Sequence, residues 1–275
     1  MKKKYDLIVI GFGKAGKTLA AKLSKAGKSV ALIEKDANMY GGTCINVGCI
    51  PSKRLISDAH NSPKADFNAS SEYYKNTIED KRKLTSALRK ANYDKLVQAG
   101  VDVIDGTATF TDEHHVNVAT KDGIINIEGD SFVINTGSTP VIPEIPGADK
   151  SKKVYFSETI MDLEKLPESL TIVGGGYIGL EFAFMYADFG SKVSIIQDTE
   201  VFLPREDEDI VSAIRSSLDT KGVNVITGAK ITKIDDGTLY YESNKESKKI
   251  ESEAILLATG RRPNTDGLGC DNAGI

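Results

Sequence analysis

The sequence predicts an α/β protein made of two doubly wound, three-layer domains, the second inserted in the first. Three observations carry that expectation. A strand–glycine turn–helix–strand pattern occurs twice. The second copy follows the first at an offset of 163 positions without a gap, so that Gly11 falls on Gly174, Gly27 on Gly190, Val30 on Val193 and Glu34 on Gln197. A Pro-rich stretch, 140–147, reads as a linker between them. Two copies so far apart indicate two similar domains, because a solenoid repeats every 20–50 residues or so.

The elements follow in order. Residues 5–10 form the first strand, 14–26 a helix and 29–33 the second strand. A helix starts near Cys49, with Pro51 in its first turn, and runs to about His60. Residues 61–71 are a polar Ser/Asn/Pro loop. A long amphipathic helix spans 72–99, with Ile78, Leu84, Leu88, Leu96 and Val97 facing inward. From 101 to 134 the pattern is short strands with Asp-Gly turns. The second unit contains a strand at 170–173, a helix at 177–189, a strand at 192–196 and a helix near 207–221. The expected domains are 1–149 plus 258–275, and 150–257.

Composition excludes several classes. Of the 275 residues 40% are hydrophobic, enough for a sizeable core, and 27% are charged, with a net charge of −4 and both signs interspersed. No basic stripe marks a nucleic-acid binder. No apolar run approaches the roughly 20 residues that span a membrane, and the chain reads as cytoplasmic. Three cysteines, an odd and low number, argue against a secreted disulfide scaffold.

Two motifs point to nucleotides. Gly11-x-Gly13-x-x-Gly16 sits between strand and helix, and Glu34 closes the next strand. Gly11 permits the tight turn, Gly13 lets backbone approach a pyrophosphate, and Gly16 lets helix pack on strand. The helix N-terminus faces the phosphates and Glu34 accepts from a ribose. The pattern is Rossmann-like. The second copy, Gly174-x-Gly176-x-x-Gly179, has Gln197 in place of the acid and Asp198 after it, which leaves NADH against NADPH open.

A third motif is redox-type. Cys44 and Cys49 are five apart in Gly41-Gly42-Thr43-Cys44-Ile45-Asn46-Val47-Gly48-Cys49-Ile50-Pro51-Ser52-Lys53. That spacing is poor for metal ligation, and no metal is expected. Cys49 falls at a helix N-terminus, where the dipole and open N–H groups favour a thiolate, and Lys53 adds charge one turn later.

This segment resembles the GGTCxNxGCxPSK signature of the FAD-dependent pyridine nucleotide–disulfide oxidoreductases, and the resemblance covers nearly the whole chain. Gly106-Thr107-Ala108 is similar to the family's adenine-side strand, Asn135-Thr136-Gly137-Ser138 to its flavin motif, and Ala258–Asn264 to its ATGRxPN segment. The resemblance implies FAD and NAD(P)H as cofactors. It implies FAD contacts by Gly11, Gly13, Lys14, Ala15, Gly16, Glu34, Lys35, Gly41, Gly42, Thr43, Lys53, Thr107, Ala108, Thr136, Gly137, Ser138 and Gly260. For the pyridine nucleotide it implies Gly174, Gly176, Tyr177, Ile178, Gly179, Gln197 and Asp198, with Tyr177 as a gate. Glu181 would pair with Lys53 beside the flavin. Gly11–Lys17, Met39–Gly42 and Phe202–Asp207 look most like the reactive chlorine resistance protein A group, implied to reduce hypothiocyanous acid.

The implied chemistry is a relay from NAD(P)H through FAD to a Cys44–Cys49 disulfide. Cys49 is the thiolate nearer the flavin, and Cys44 attacks the electrophilic sulfur of a small oxidant. Specificities like those of mercuric reductase or dihydrolipoamide dehydrogenase remain alternatives, as does a catalytically silent nucleotide-binding module. The family's second flavin motif, its C-terminal dimerisation domain and a partner's His–Glu pair are matched by no residue here, and a full-length form is expected to be a homodimer. Reduced turnover is therefore expected of these 275 residues. His60, His114 and His115 read as surface, and Cys270 as a spare thiol.

Overall fold

The computed structural model describes residues 4–275. Two compact units emerge. One comprises residues up to Pro51, Arg82–Thr139 and Arg262–Ile275; the other comprises Ser52–Lys81 and Pro140–Arg261.

Alternation builds the first unit. Its parallel sheet runs in the order Asp102–Asp105, Val30–Glu34, Leu7–Ile10, Phe132–Ile134. Successive side chains of a strand point to opposite faces. Ile8, Ile10 and Ile33 pack with Phe110, Val116 and Ile127 of the second sheet, where Thr107–Phe110, His115–Thr120 and Gly123–Gly129 pair antiparallel. Leu7, Val9 and Leu32 pack on the other side with Ala20 of helix α1 (Lys14–Lys25) and with Leu96. The result is three layers: helices, parallel sheet, antiparallel sheet. Each buried Val, Leu, Ile or Phe side chain among these contributes about 1.5–3 kcal/mol.

The first strand is shorter than expected, Leu7–Ile10, and Lys4–Tyr5 pairs in the second sheet instead. Asp6 makes the break. Its Oδ2 accepts from the Ser29 N–H at 2.7 Å and the Ser29 hydroxyl at 2.8 Å, and its Oδ1 lies 3.1 Å from Lys28 Nζ. The Ser29 N–H first, then the hydroxyl and Lys28, push its carboxyl down to about 2 from the ordinary 3.8. A carboxyl depressed by folding stabilises above its unfolded value, and the contribution disappears as pH falls through its folded one. Asp6→Asn is therefore expected to lower the urea midpoint at pH 7, and the gap between the two proteins should close between pH 4 and about 2. A gap that persists at pH 2 would assign the effect to something other than this charge.

The second unit repeats the plan. Five parallel strands run Val154–Phe156, Ala254–Leu257, Ser169–Val173, Lys192–Ile196, Asn224–Ile226. A three-stranded antiparallel sheet, Lys230–Asp235, Thr238–Ser243 and Glu246–Glu251, covers one face through Ile234, Leu239 and Tyr241. The two-domain α/β class holds.

The helices depart from the expected bounds in specific ways. After α2 (Thr43–Asn46) and α3 (Cys49–His60), α4 spans Phe67–Gln98 and starts within the stretch expected to be loop. Asp66 is the reason: its Oδ1 accepts from the N–H groups of Asn68 and Ala69 at 3.0 and 3.2 Å, an N-cap. Val97 is exposed rather than inward, while Ile78 and Leu96 are buried. The first part of α4 belongs to the second unit, where Tyr74 packs edge-on to Phe189 and Ser70 donates to the Phe189 carbonyl. The compact units also divide at 139/140 and 261/262, displaced from the expected 149/150 and 257/258. Ala148 packs in the second core, the Ile234 N–H donates to Pro146 and the Ala258 N–H to Val173.

Candidate active site

Each unit has a cleft at its glycine turn. In the first, strand Leu7–Ile10 passes through Gly11 to α1. Gly11 has φ +100, and a Cβ there would run into the Asn135 carbonyl. A Cβ at Gly13 or Gly16 would meet the Asn135 side chain at 2.6 and 2.7 Å. Asn135, quoted in the sequence motif but assigned no role, is thus the residue all three glycines pack against. Its amide donates to the Gly11 carbonyl at 3.1 Å. Helix α1 has no side-chain cap and no acid in its first turn, so the amides of Lys14, Ala15 and Gly16 are free to bind an anion.

This cleft encloses about 370 Å³. Gly11, Gly13, Lys14, Gly42, Thr43 and Cys44 are among its lining residues. A Cβ at Gly42 would touch Gly13 Cα at 2.6 Å, so the two loops meet backbone to backbone. Glu34 and Lys35 lie on the lining too. The Glu34 carboxylate accepts from the N–H groups of Phe12 and Asp36 at 2.9 and 3.1 Å. A carboxylate offers about four acceptor sites, which leaves capacity for ribose hydroxyls. Thr107, Ala108, Thr136 and Gly137 complete the wall. An uncapped helix, a glycine floor and a spare-capacity carboxylate fit a dinucleotide.

Several expected residues are not on the lining. Ala15, Gly16, Gly41, Lys53 and Ser138 are absent from it, and Gly260 lines neither cleft. Gly260 instead turns the chain at φ +107 and accepts from the Val141 N–H at 2.9 Å. Conversely, Asn264, Asp266, Gly267 and Leu268 line the first cleft, and the Asn264 N–H donates to Gly137 at 3.0 Å. The Arg262-Pro263-Asn264 segment was the sequence signal for them.

The two cysteines come together. Both are thiols rather than a disulfide, Cys44 half-buried on α2 and Cys49 exposed at the start of α3. A hydrogen bond between them, then burial, pushes the Cys44 thiol up; the charges of Lys14 and Lys17 oppose the rise. Cys44 lines the first cleft and Cys49 does not. Cys270 sits half-buried against the first core. His60 is exposed, 3.2 Å from the buried Asp188 carboxylate; His114 is exposed, and His115 is half-buried, 2.9 Å from Asp112.

In the second unit Lys53 pairs with Glu181. Both side chains are largely exposed, 59% and 45%, so the pair adds little stability. The second cleft, about 590 Å³, is lined by Gly174, Gly176, Tyr177, Gln197 and Asp198 among others. It lies at the start of α6 (Tyr177–Asp188), the helix after α5 (Ser157–Ile160), and α6 also lacks a side-chain cap. Gly176 has ordinary extended backbone, and a Cβ there would meet nothing within 4 Å. The protein does not need glycine there, whereas a phosphate approaching the backbone does. Ile178, Gly179 and Glu181 are off the lining. Gly179 packs against the Gly174 carbonyl, where a Cβ has no room.

The Gln197 amide donates to the Thr199 hydroxyl at 2.6 Å, to the Thr199 carbonyl at 3.1 Å and to the Val201 carbonyl at 3.0 Å. It closes its own loop and leaves exposed Asp198 as the acid at that end. The Tyr177 side chain is exposed, and its hydroxyl donates to Glu206 at 2.5 Å, which raises the phenol pKa. Among the described residues no helix is long and apolar enough to cross a membrane, and no group of three or more His, Cys, Asp or Glu could hold a metal ion.

Comparison with known proteins gives the same picture. The family model of the pyridine nucleotide-disulphide oxidoreductases, whose cofactors are FAD and NAD(P)H, matches residues 5–275. The probable pyridine nucleotide-disulfide oxidoreductase RclA of Escherichia coli is 44% identical over 99% of this chain and 60% of its own length. A solved structure of that protein, described as a Cu(II) complex of HOCl-induced flavoprotein disulfide reductase RclA, superposes with a TM-score of 0.91 at 43% identity, covering 100% of this chain and 60% of the other. Mercuric reductase of Staphylococcus aureus is 34% identical over 98% of this chain and 51% of its own length. Dihydrolipoyl dehydrogenase of Geobacillus stearothermophilus is 34% identical over 98% and 59%. The chain thus spans between half and three fifths of the length of these relatives. A family match running from residue 5 to residue 275 takes in both clefts and the cysteine pair, and the chain belongs to the pyridine nucleotide-disulphide oxidoreductase family.

Proposed function

We propose that this chain passes electrons from NAD(P)H, bound in the second cleft, through FAD, bound in the first, to Cys44 and Cys49 and on to hypothiocyanous acid. The observation that carries the reading is the hydrogen-bonded thiol pair, one member of which lines the Gly11–Gly16 cleft. In this reading Gly11–Gly16, Thr43 and Thr136–Gly137 hold the FAD diphosphate side. Glu34 takes the ribose, and Thr107 and Ala108 the adenine side. Gly174–Gly179, Tyr177 and Asp198 hold the pyridine nucleotide. Held by the Gly11–Gly16 turn, Thr43 and Thr136–Gly137, FAD would supply two-electron transfer between NAD(P)H and the cysteine pair.

The Cys44 thiolate displaces hydroxide from the sulfur of HOSCN, and a proton taken up makes it water. The Cys49 thiolate then attacks the Cys44 sulfur, thiocyanate leaves and the disulfide closes. The likeness to RclA, described as HOCl-induced, supports an electrophilic small oxidant. The working protein is a homodimer of the cytoplasm in this reading. A reducing compartment, where a cysteine pair returns to thiols, agrees with the location, and the family resemblance supports the dimer.

The test is turnover of NADH and of NADPH by the flavin-loaded protein with HOSCN, Hg(II) or lipoamide as oxidant. HOSCN is expected to be consumed fastest, by about tenfold or more in kcat/KM, a transition-state advantage of roughly 1.4 kcal/mol. Faster consumption of Hg(II) or lipoamide would move the assignment to the mercuric or lipoamide specificity. A protein that takes up no flavin would be a silent nucleotide-binding module.

A further inference from the structure

Lys17 stands where a cation is least welcome. It lies in the first turns of α1, next to the positive end of the helix dipole, and its side chain is half-buried. Its ammonium donates to the Gly41 carbonyl at 3.3 Å and to Asn92 Oδ1 at 2.5 Å. Asn92 cannot turn away, because its own Nδ2 donates to the Leu88 carbonyl at 2.7 Å. Gly41 and Gly42, at φ +95 and +81, form the turn that delivers the chain into α2 and Cys44. A bond made from α1 and oriented from α4 thus holds the backbone three residues before the thiol.

Burial pushes the Lys17 ammonium down, Cys44 raises it, and Lys14 and Lys95 lower it further. At Cys44 the facing groups are Cys49 on α3, which raises the thiol, and Lys14 and Lys17 on α1, which lower it. A medium-length apolar side chain would satisfy packing at position 17 without the desolvation cost of a charge, so packing alone does not account for a lysine.

We propose that Lys17 is a positioning residue for Cys44. Held by Asn92, it pins the Gly41 carbonyl so that the Gly41–Gly42 turn presents Cys44 with a fixed positive charge nearby, and so favours the attacking thiolate. The role rests on the reading of Cys44 as the attacking thiol.

The test uses the full chain carrying Cys49→Ser and Cys270→Ser, which leaves Cys44 as the single thiol of the three. Alkylation by iodoacetamide is followed from pH 6 to 10 by mass spectrometry. Lys17→Met is expected to raise the midpoint by about one pH unit and to slow alkylation at pH 7 by about tenfold. Lys17→Arg, which keeps the charge, is expected to bring the midpoint most of the way back. An unchanged midpoint in Lys17→Met overturns the proposal. Should that variant fail to fold, Asn92→Leu removes the orienting acceptor instead; a midpoint shifted upward supports the role and an unshifted one overturns it. The measurement requires no oxidant turnover. A parent protein that binds no flavin or consumes no oxidant defeats the relay, whereas an unmoved alkylation midpoint defeats only the role of Lys17.

Discussion

Cys44→Ser is expected to lower oxidant turnover at least about 10³-fold while leaving flavin uptake intact. A hydroxyl is a poor nucleophile toward sulfur at neutral pH, because the reacting species is the thiolate and serine forms no comparable anion. Cys44 lines the first cleft with Gly42 and Thr43, and serine is smaller, so the cleft keeps its shape. Cys49→Ser is expected to stop turnover as well, for a different reason: the adduct on Cys44 has no resolving thiol. The two variants separate spectroscopically. If Cys49 is the thiolate beside the ring, Cys44→Ser keeps the long-wavelength absorbance that a thiolate produces against oxidised flavin, and Cys49→Ser loses it. That Cys44, and not Cys49, lines the cleft makes the opposite outcome informative: a band kept in Cys49→Ser and lost in Cys44→Ser reverses the two roles.

Gly11→Ala is expected to cost about 3 kcal/mol or more of stability and to abolish flavin binding. The left-handed backbone alone costs a residue with a Cβ about 1–2 kcal/mol. The added carbon would come within 2.7 Å of the Asn135 carbonyl carbon and force apart the turn and the residue that anchors it. Overpacking of this kind costs a further 1–3 kcal/mol or so. Gly176→Ala is the informative contrast. Its backbone suits any residue and its Cβ meets no protein atom, so the melting temperature should stay near that of the parent. NAD(P)H affinity should nevertheless fall by about tenfold or more, because the methyl group occupies the approach of the phosphate. Calorimetry with flavin and nucleotide titrations reads both. A destabilised Gly176→Ala, or a Gly11→Ala that still holds flavin, would contradict the division between glycines required by packing and glycines reserved for ligand.

Local patterns were legible because their physics is local. A strand that alternates Leu7, Ile8, Val9 and Ile10 across its two faces, a glycine turn and a helix that starts uncapped are specified within twenty residues, and the structure keeps them in both units. The helix from Cys49 to His60 was likewise readable from Pro51 and the run behind it. The start of α4 is harder to read, since its N-cap Asp66 is set in a stretch whose other polar residues read as loop. Val97 is exposed because it lies roughly 100° around the helix from buried Leu96, and two successive residues do not share one face.

The sequence by itself determined the two glycine turns, the cysteine spacing and the acid at Glu34, each set by neighbours along the chain. Only the tertiary structure decided what those groups touch. Asn135 reaches Gly11 across 124 positions, and Lys17 joins Gly41 and Asn92 across 24 and 75. The reason is physical: a buried polar or charged group must find its partner wherever the fold brings one within about 3 Å, and no periodicity along the chain records which distant residue that is.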